Sequence, residues 1–209
     1  MDAPAFESIQ HFGVSRESFD RLLILARVLE LWQSRMNLVA PSTLNHIWQR
    51  HIIDSLQLLP LLPSRTETIA DLGSGGGFPG LVLAATQPAL VHMFEASEKK
   101  SAFLQEALRQ MNCRGIVHRG RLEAFKASKN LPKIDVVTSR AFAPLSELLS
   151  YAKPFFSEHT IGLFHKGQDI DTELTEAAKT WKISARKHSS VTDSQSVILE
   201  IKEIAYVKS

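Results

Sequence analysis

The sequence predicts an α/β fold: one mostly parallel seven-stranded sheet with an antiparallel edge hairpin, preceded by an N-terminal helical extension. Three observations carry that prediction. From Thr68 onward, short apolar runs alternate with helical segments, the pattern of a parallel sheet covered on both faces with right-handed crossovers. The run Ile69-Ala70-Asp71-Leu72 feeds directly into five glycines within the eight residues Gly73 to Gly80, the shape of a ligand-binding turn between a strand and a helix. Near the C-terminus, two apolar runs are joined by Ser189-Ser190-Val191-Thr192-Asp193-Ser194, which is too short for a helical crossover and fits an antiparallel hairpin.

Ahead of the sheet, residues 1–63 read as helical. Phe19, Leu22, Leu23, Ala26 and Leu29 recur at helical spacing behind the capping candidates Ser15 and Ser18, and predict an amphipathic helix to about Ser34. A second helix is expected from Ser42 or Thr43 to Leu59, stopped by Pro60. It carries Arg50, His51, Asp54 and Ser55, which positions three and four apart bring to one face, either as a polar cluster at the domain edge or as a surface hydrogen-bonded pair.

Residues 64–209 supply the sheet. Its expected strands are Thr68–Leu72, Leu90–Glu95, Gly115–His118, Ile134–Ser139, Thr160–His165, Ile183–Lys187 and Val197–Ile201, with helices such as Lys99–Met111 and Leu145–Ala152 between them. Pro79 is placed to open the helix after the glycine loop.

The bulk properties exclude several classes. A hydrophobic content of 44% with no repetitive or long polar segment means the chain folds throughout. The net charge of +2 permits an acidic partner without demanding one. A single cysteine, Cys113, rules out an internal disulfide framework and suits a reducing compartment. With no signal-like start and no apolar stretch of the roughly 20 residues that span a bilayer, a cytoplasmic protein without membrane attachment is expected.

The glycine loop admits two ligands. Gly75-Gly76-Gly77-Phe78-Pro79-Gly80 satisfies the dinucleotide pattern G-x-G-x-x-G, whereas Asp71-Leu72-Gly73-Ser74-Gly75-Gly76-Gly77 is an acid followed by G-x-G-x-G, as in S-adenosylmethionine loops. A pyrophosphate wants free N–H groups and no nearby anion, while Asp71 stands beside the loop and Pro79 lacks a donor. A sulfonium and an ammonium welcome that acid, so the methyl donor is favoured. Glu95, at the second strand end, is positioned to accept ribose hydroxyls. Arg119-Gly120-Arg121-Leu122-Glu123 follows the third strand and offers groups for an adenine edge. Ser139-Arg140-Ala141-Phe142 and His165-Lys166-Gly167 follow the fourth and fifth strands; Arg140 and Lys166 are candidates for RNA phosphate or guanine O6, or are simply solvated.

Amino-group methylation of adenine is signalled by an Asn/Asp/Ser-Pro-Pro-aromatic run, which this chain lacks at Ser139. Carbon-5 methylation of pyrimidines needs a nucleophilic thiolate, and Cys113 after Asn112 has no suitable setting. His46 and His51 lie on different helix faces with no third ligand, so no metal site is expected. A target that already carries a lone pair, such as guanine N7, remains, and its methylation rests mainly on alignment.

Asn37-Leu38-Val39, Arg50-His51-x-x-Asp54-Ser55, the loop from Asp71 to Gly80, Lys99-Lys100, Ser139-Arg140-Ala141-Phe142-Ala143 and Lys166-Gly167 together resemble the glucose-inhibited division protein B family. The likeness runs from about Asn37 to Gln168. It implies a Rossmann-like class I S-adenosylmethionine-dependent methyltransferase fold and methylation of N7 of a single guanine in the decoding-region loop of 16S rRNA. The partners implied are 16S rRNA and the small ribosomal subunit or its precursor, with a monomeric enzyme. By the same resemblance Gly73, Phe78, Leu122, Glu123 and Arg140 match donor-binding positions and Glu95 the ribose-binding acid, with Asp71 and Gly75 of the loop also expected at the donor, while His51, Asp54, Ser55, Arg140 and Lys166 fall on the cluster facing the target. An NAD-dependent oxidoreductase on the same loop and a catalytically silent RNA-binding assembly protein are the competing readings.

Overall fold

A computed structural model describes residues 3–126 and 131–207. Its sheet contains β1 (Thr68–Leu72), β2 (Leu90–Glu95), β3 (Gly115–Arg119), β4 (Val136–Arg140), β5 (Ile161–Lys166), β6 (Trp181–Ser189) and β7 (Val197–Tyr206). They lie in the order β3-β2-β1-β4-β5-β7-β6, with β1 to β5 parallel and β7 antiparallel to both its neighbours. The expected seven-stranded sheet with an antiparallel edge pair is therefore present. The strand order reverses between β1 and β4, whose carboxyl ends lie side by side with Asp71 opposite Thr138. Chains leaving those two ends diverge to opposite sides, which opens a crevice there.

The helices are α1 (Phe6–Ile9), α2 (Arg16–Gln33), α3 (Asp54–Leu56), α4 (Gly80–Thr86), α5 (Glu98–Met111), α6 (Leu122–Lys126), α7 (Leu145–Ala152) and α8 (Ile170–Ala178). Ser15 caps α2, its hydroxyl accepting the Ser18 N–H, and Ser97 caps α5 in the same way through Lys100. Leu22, Leu25 and Leu29 of α2 are fully buried and share one apolar cluster with Leu81 of α4, Leu104 of α5 and the sheet residues Ile69, Val91 and Leu163. The other sheet face, carrying Ala70, Leu72, Phe94 and Phe164, packs against Leu148 and Leu149 of α7 and Ile170 of α8. Strand alternation thus sends Asp71, between Ala70 and Leu72, to the face covered by α2, α4 and α5.

Two expectations change. The helix expected from Ser42 to Leu59 is not continuous: a 3₁₀ turn over Pro41–His46 leads into a π-helical turn, Trp48–Ile53, then α3 and a second 3₁₀ turn, Leu59–Leu61. Apolar spacing alone does not reveal a π turn, which re-aims side chains without changing their sequence order and is frequent at functional sites. Strands β6 and β7 also run further than their apolar centres, because Trp181 and Tyr206 stack at 4.3 Å across the far end of the hairpin. The exposed side chains of Lys182, Arg186 and Lys187 in β6 obscure the apolar alternation there.

Candidate active site

Two clefts open at the carboxyl ends of the strands and meet at Leu38, Arg140 and Ala141. The first, about 690 Å³, lies over the glycine loop. Gly73, Gly75 and Gly77 have φ of 69°, 54° and 86°, values that side chains resist, so the loop depends on these glycines. The Gly73 and Ser74 N–H groups both bond to the Phe94 carbonyl, and the Ser74 hydroxyl donates to the Asp71 carbonyl, so the loop is pinned to β1 and β2.

Of the expected donor residues, Gly73, Gly75, Phe78, Glu95, Leu122, Glu123 and Arg140 line this cleft. Glu95 accepts the Gly75 N–H through Oε2 at 2.7 Å and the Ser97 N–H through Oε1 at 2.7 Å. Each carboxylate oxygen keeps a second acceptor site, so the group is held in place with capacity left for ligand hydroxyls. Glu123 accepts from the Tyr151 hydroxyl at 2.8 Å, and that bond, with burial and Glu147, pushes the phenol up to about 12.

Asp71 is not part of the cleft. Its carboxylate is fully buried beneath the loop, accepting the Gly80 N–H at 3.2 Å and the Thr138 hydroxyl at 3.2 Å. Burial pushes it up to about 6, against the pull of those hydrogen bonds. The expectation that this acid faces a sulfonium is corrected by strand geometry, which turns it toward α4. It nevertheless bears on the ligand: a carboxylate already occupies the N-terminus of α4, where a pyrophosphate would bind.

The second cleft, about 450 Å³, lies between the π turn, the end of β5 and the β6–β7 connection. Arg140 spans the boundary. Its Nη1 donates to the Arg50 carbonyl at 2.9 Å and to Asp54 Oδ2 at 3.2 Å, and its Nη2 to His51 Nδ1 at 2.6 Å. Because Arg140 has only donors, His51 Nδ1 is the acceptor and the imidazole proton sits on Nε2, 2.8 Å from the Thr43 hydroxyl. Burial, then Arg140, lower His51 to about 4, which keeps the ring neutral. Phe78 stacks on His51 at 5.0 Å and lies under the Arg140 guanidinium at 5.2 Å. The polar cluster on the 51–54 turn is therefore real, but it is assembled through Arg140 rather than by direct pairing along a helix.

Ser55 stands apart, its buried hydroxyl donating to the His51 carbonyl within the turn. Lys166 lines the second cleft, with Nζ donating to Glu173 at 2.6 Å and to the Ala143 carbonyl at 3.0 Å. Its Nζ thus begins as half of an ion pair. Cys113 is half-buried, its thiol directed at the Met111 carbonyl and pushed up by burial, the setting of a packed thiol. Among the described residues no cluster suited to hold a metal ion occurs, and no helix is long and apolar enough to cross a membrane.

Gln33 carried no sequence signal, and Leu38, Val39, Ala141, Phe142 and His165 stood in the quoted motifs without the roles that the fold gives them. Gln33, at the end of α2, accepts the Leu38 and Val39 N–H groups and donates to the Val39 carbonyl, fixing a strap shared by both clefts. The Leu38 carbonyl comes so near the loop that a Cβ on Gly76 would stand 2.6 Å from it. Phe142 packs its ring on Gly73 behind Ala141, which holds φ at 50°. His165 bonds the Asp54 carbonyl through Nε2 at 2.8 Å, and burial lowers its pKa.

A family profile described as GidB, rRNA small subunit methyltransferase G, matches residues 19–201. A ribosomal RNA small subunit methyltransferase G of Rhodospirillum rubrum is 50% identical over 191 residues, covering 91% of this chain and 93% of its own. The protein of that name from Rhizobium meliloti is 41% identical over 212 residues, with 98% of both chains covered. Among solved structures, an O-methyltransferase from Bacillus cereus in complex with SAH superposes with a TM-score of 0.55 at 16% identity, over 85% of this chain and 90% of that one.

Proposed function

The chain belongs to the GidB family, rRNA small subunit methyltransferase G, and from that premise we propose how its two clefts divide the reaction. It is an S-adenosylmethionine-dependent methyltransferase acting on small-subunit rRNA. The first cleft takes the methyl donor and the second takes the target base, N7 of guanine 527 in 16S rRNA. The observation that carries this division is Arg140, which walls both clefts at once.

The residues of the first cleft suit the donor. Glu95 offers acceptor capacity for ribose hydroxyls, Leu122 an apolar wall for a purine, and Gly73 and Gly75 a close backbone approach. The bound donor supplies an electrophilic methyl on a sulfonium. Guanine N7 brings its own lone pair, so the transfer calls for neither a base nor an activating metal: N7 gains the methyl, the carbon–sulfur bond breaks, and its electron pair stays on sulfur. The chain's task is alignment, an effect worth up to about 7–11 kcal/mol in favourable cases.

Arg140 is fixed for that task by three acceptors, and its Nε–H remains for guanine O6, next to N7. Asp54, 3.2 Å from Arg140, and Asp193 beyond it offset the positive charge that methylation places on the base. The same reading takes the enzyme as a monomer that meets a ribosomal substrate in the cytoplasm, with residues 3–63 forming a helical extension ahead of the sheet domain.

An NAD-dependent oxidoreductase is not favoured, since Asp71 holds the Gly80 N–H that a pyrophosphate would use. Incubating the protein with small subunits lacking the modification and labelled donor tests the proposal. Label at N7 of guanine 527, mapped by nuclease digestion and mass spectrometry, is expected; label elsewhere, or none, refutes it.

A further inference from the structure

N7 methylation by alignment leaves one problem unsolved, because adenine carries the same N7 lone pair. Guanine differs at O6, an acceptor where adenine has an amino donor, and at N1–H and N2–H, donors where adenine has an acceptor and a hydrogen. Donation to O6 already disfavours adenine, and a site that also accepts hydrogen bonds from N1–H and N2–H reads the guanine edge more fully.

The second cleft has two carboxylates in its wall, Asp54 and Asp193. Asp54 is taken up: Oδ1 accepts from Gln57 at 2.8 Å and from Thr192 at 2.6 Å, while Oδ2 faces Arg140 at 3.2 Å and His165 at 3.7 Å. Asp193 is held more loosely. Its Oδ1 accepts the Gln195 N–H at 3.0 Å and the Ser196 side chain also bonds the carboxyl, while its Oδ2 meets Arg50 at 3.3 Å in a contact open to solvent. Such a contact is weak and yields readily to a better partner.

The connection that carries Asp193 is also anchored. Thr192 bonds Asp54, the Val191 N–H donates to Gln57 Oε1 at 3.1 Å, and Gln57 Nε2 reaches the Ser190 hydroxyl at 3.4 Å. Asp193 thus stands at a fixed place relative to Arg140, since Asp54 joins the Thr192 turn and the guanidinium. The Gln195 N–H and Arg50 also hold its carboxyl below the usual carboxylate range, ionised and acceptor-only near neutrality.

We propose that Asp193 is the residue that selects guanine, accepting N1–H and N2–H from the target base while Arg140 serves the O6 side. The inference rests on the assignment of the second cleft to the target. In this arrangement Arg50 releases Asp193 and turns to the RNA backbone as the base enters.

Small subunits assembled with 16S rRNA carrying either guanine or inosine at the target position test this, inosine lacking only the N2 amino group. Initial rates with labelled donor give kcat/KM for each particle, and calorimetry with the demethylated donor confirms an intact first cleft. The parent protein is expected to prefer guanine on the order of 10-fold, the usual worth of one recognition hydrogen bond. Asp193→Asn is expected to narrow that preference to within about 2-fold, with unchanged affinity for the demethylated donor. Arg50→Ala is expected to raise KM for both particles alike and keep the preference. An Asp193→Asn protein that keeps the parent's preference, or a parent that treats both particles equally, overturns the inference. A parent inactive on both overturns the underlying assignment as well.

Discussion

Arg140 Nη2 lies 2.6 Å from His51 Nδ1, so a guanidinium takes the lone pair of a neutral imidazole at the junction of the two clefts. Protonating Nδ1 would set two donors against each other. The His51 ring, lowered to about 4 from 6.5, resists that proton. Between those values the unfolded chain binds a proton that the folded one refuses, so stability falls as pH drops from about 6.5 to about 4. Asp71, raised to about 6 from 3.8, acts in the opposite sense, its contribution being lost as pH rises through about 6. His92, His118 and His165 are all lowered as His51 is, which tips the balance toward acid lability. Urea unfolding between pH 7 and 4.5 is expected to show His51→Gln losing about 2 kcal/mol less stability than the parent. Parallel curves would mean that His51 is not the group resisting protonation.

Arg140 meets a carbonyl, a carboxylate and an imidazole at once through its guanidinium fork, a set an ammonium cannot reproduce. Arg140→Lys and Arg140→Ala are both expected to slow methyl transfer by at least about 100-fold, the scale of a misaligned reacting pair. Calorimetry should find the demethylated donor still bound. A lysine variant with near-normal kcat would remove Arg140 from alignment.

Two glycines of the same loop fail for different reasons. Gly73→Ala forces a Cβ into the Phe142 ring at a φ of 69°, and Gly73→Asp adds a charge there; both are expected to abolish binding of the demethylated donor. At Gly76 the new Cβ meets the Leu38 carbonyl, 2.6 Å away, on the strap that Gln33 ties down. Gly76→Ala is expected to weaken donor binding less in a Gln33→Ala background than alone, since the untied strap can shift. Additive losses in calorimetry would show that the strap and the loop act separately.

Lys166 and Glu173 form an ion pair whose lysine side chain is only 7% exposed. Lys166→Met leaves the Glu173 carboxylate without its cation, at an expected cost of about 2–3 kcal/mol because Glu173 is itself partly exposed. Adding Glu173→Gln, which keeps an acceptor for the Leu145 N–H, is expected to recover most of that loss in chemical denaturation. If the single variant is as stable as the parent yet slow in transfer, Lys166 contacts the target instead.

The sheet was legible because its signals are local: apolar runs, glycine punctuation and a short final connection identify seven strands, with ends displaced by a few residues. Most of the first cleft was legible for the same reason, since Gly73, Gly75, Glu95, Leu122 and Glu123 all stand at or just after strand ends. Asp71 was assigned to that cleft from its position before the loop. Only the pleat, with Ala70 and Leu72 on the opposite face, shows that it points elsewhere. The second cleft was hardest to read. Gln57 bonding Val191, Thr192 bonding Asp54 and Gln33 bonding Leu38 link ordinary polar residues through folding alone, and the π turn that aims His51 leaves no mark in the spacing of apolar residues.

The contacts of Gln57, Asp54 and Arg50 with residues 190–193 also decide which stretches of the sequence each cleft depends on. Every residue lining the first cleft lies between Leu38 and Tyr151, whereas the far wall of the second is built by Ser190 to Ile198. Damage to the β6–β7 connection therefore falls on the second cleft and leaves the lining of the first in place.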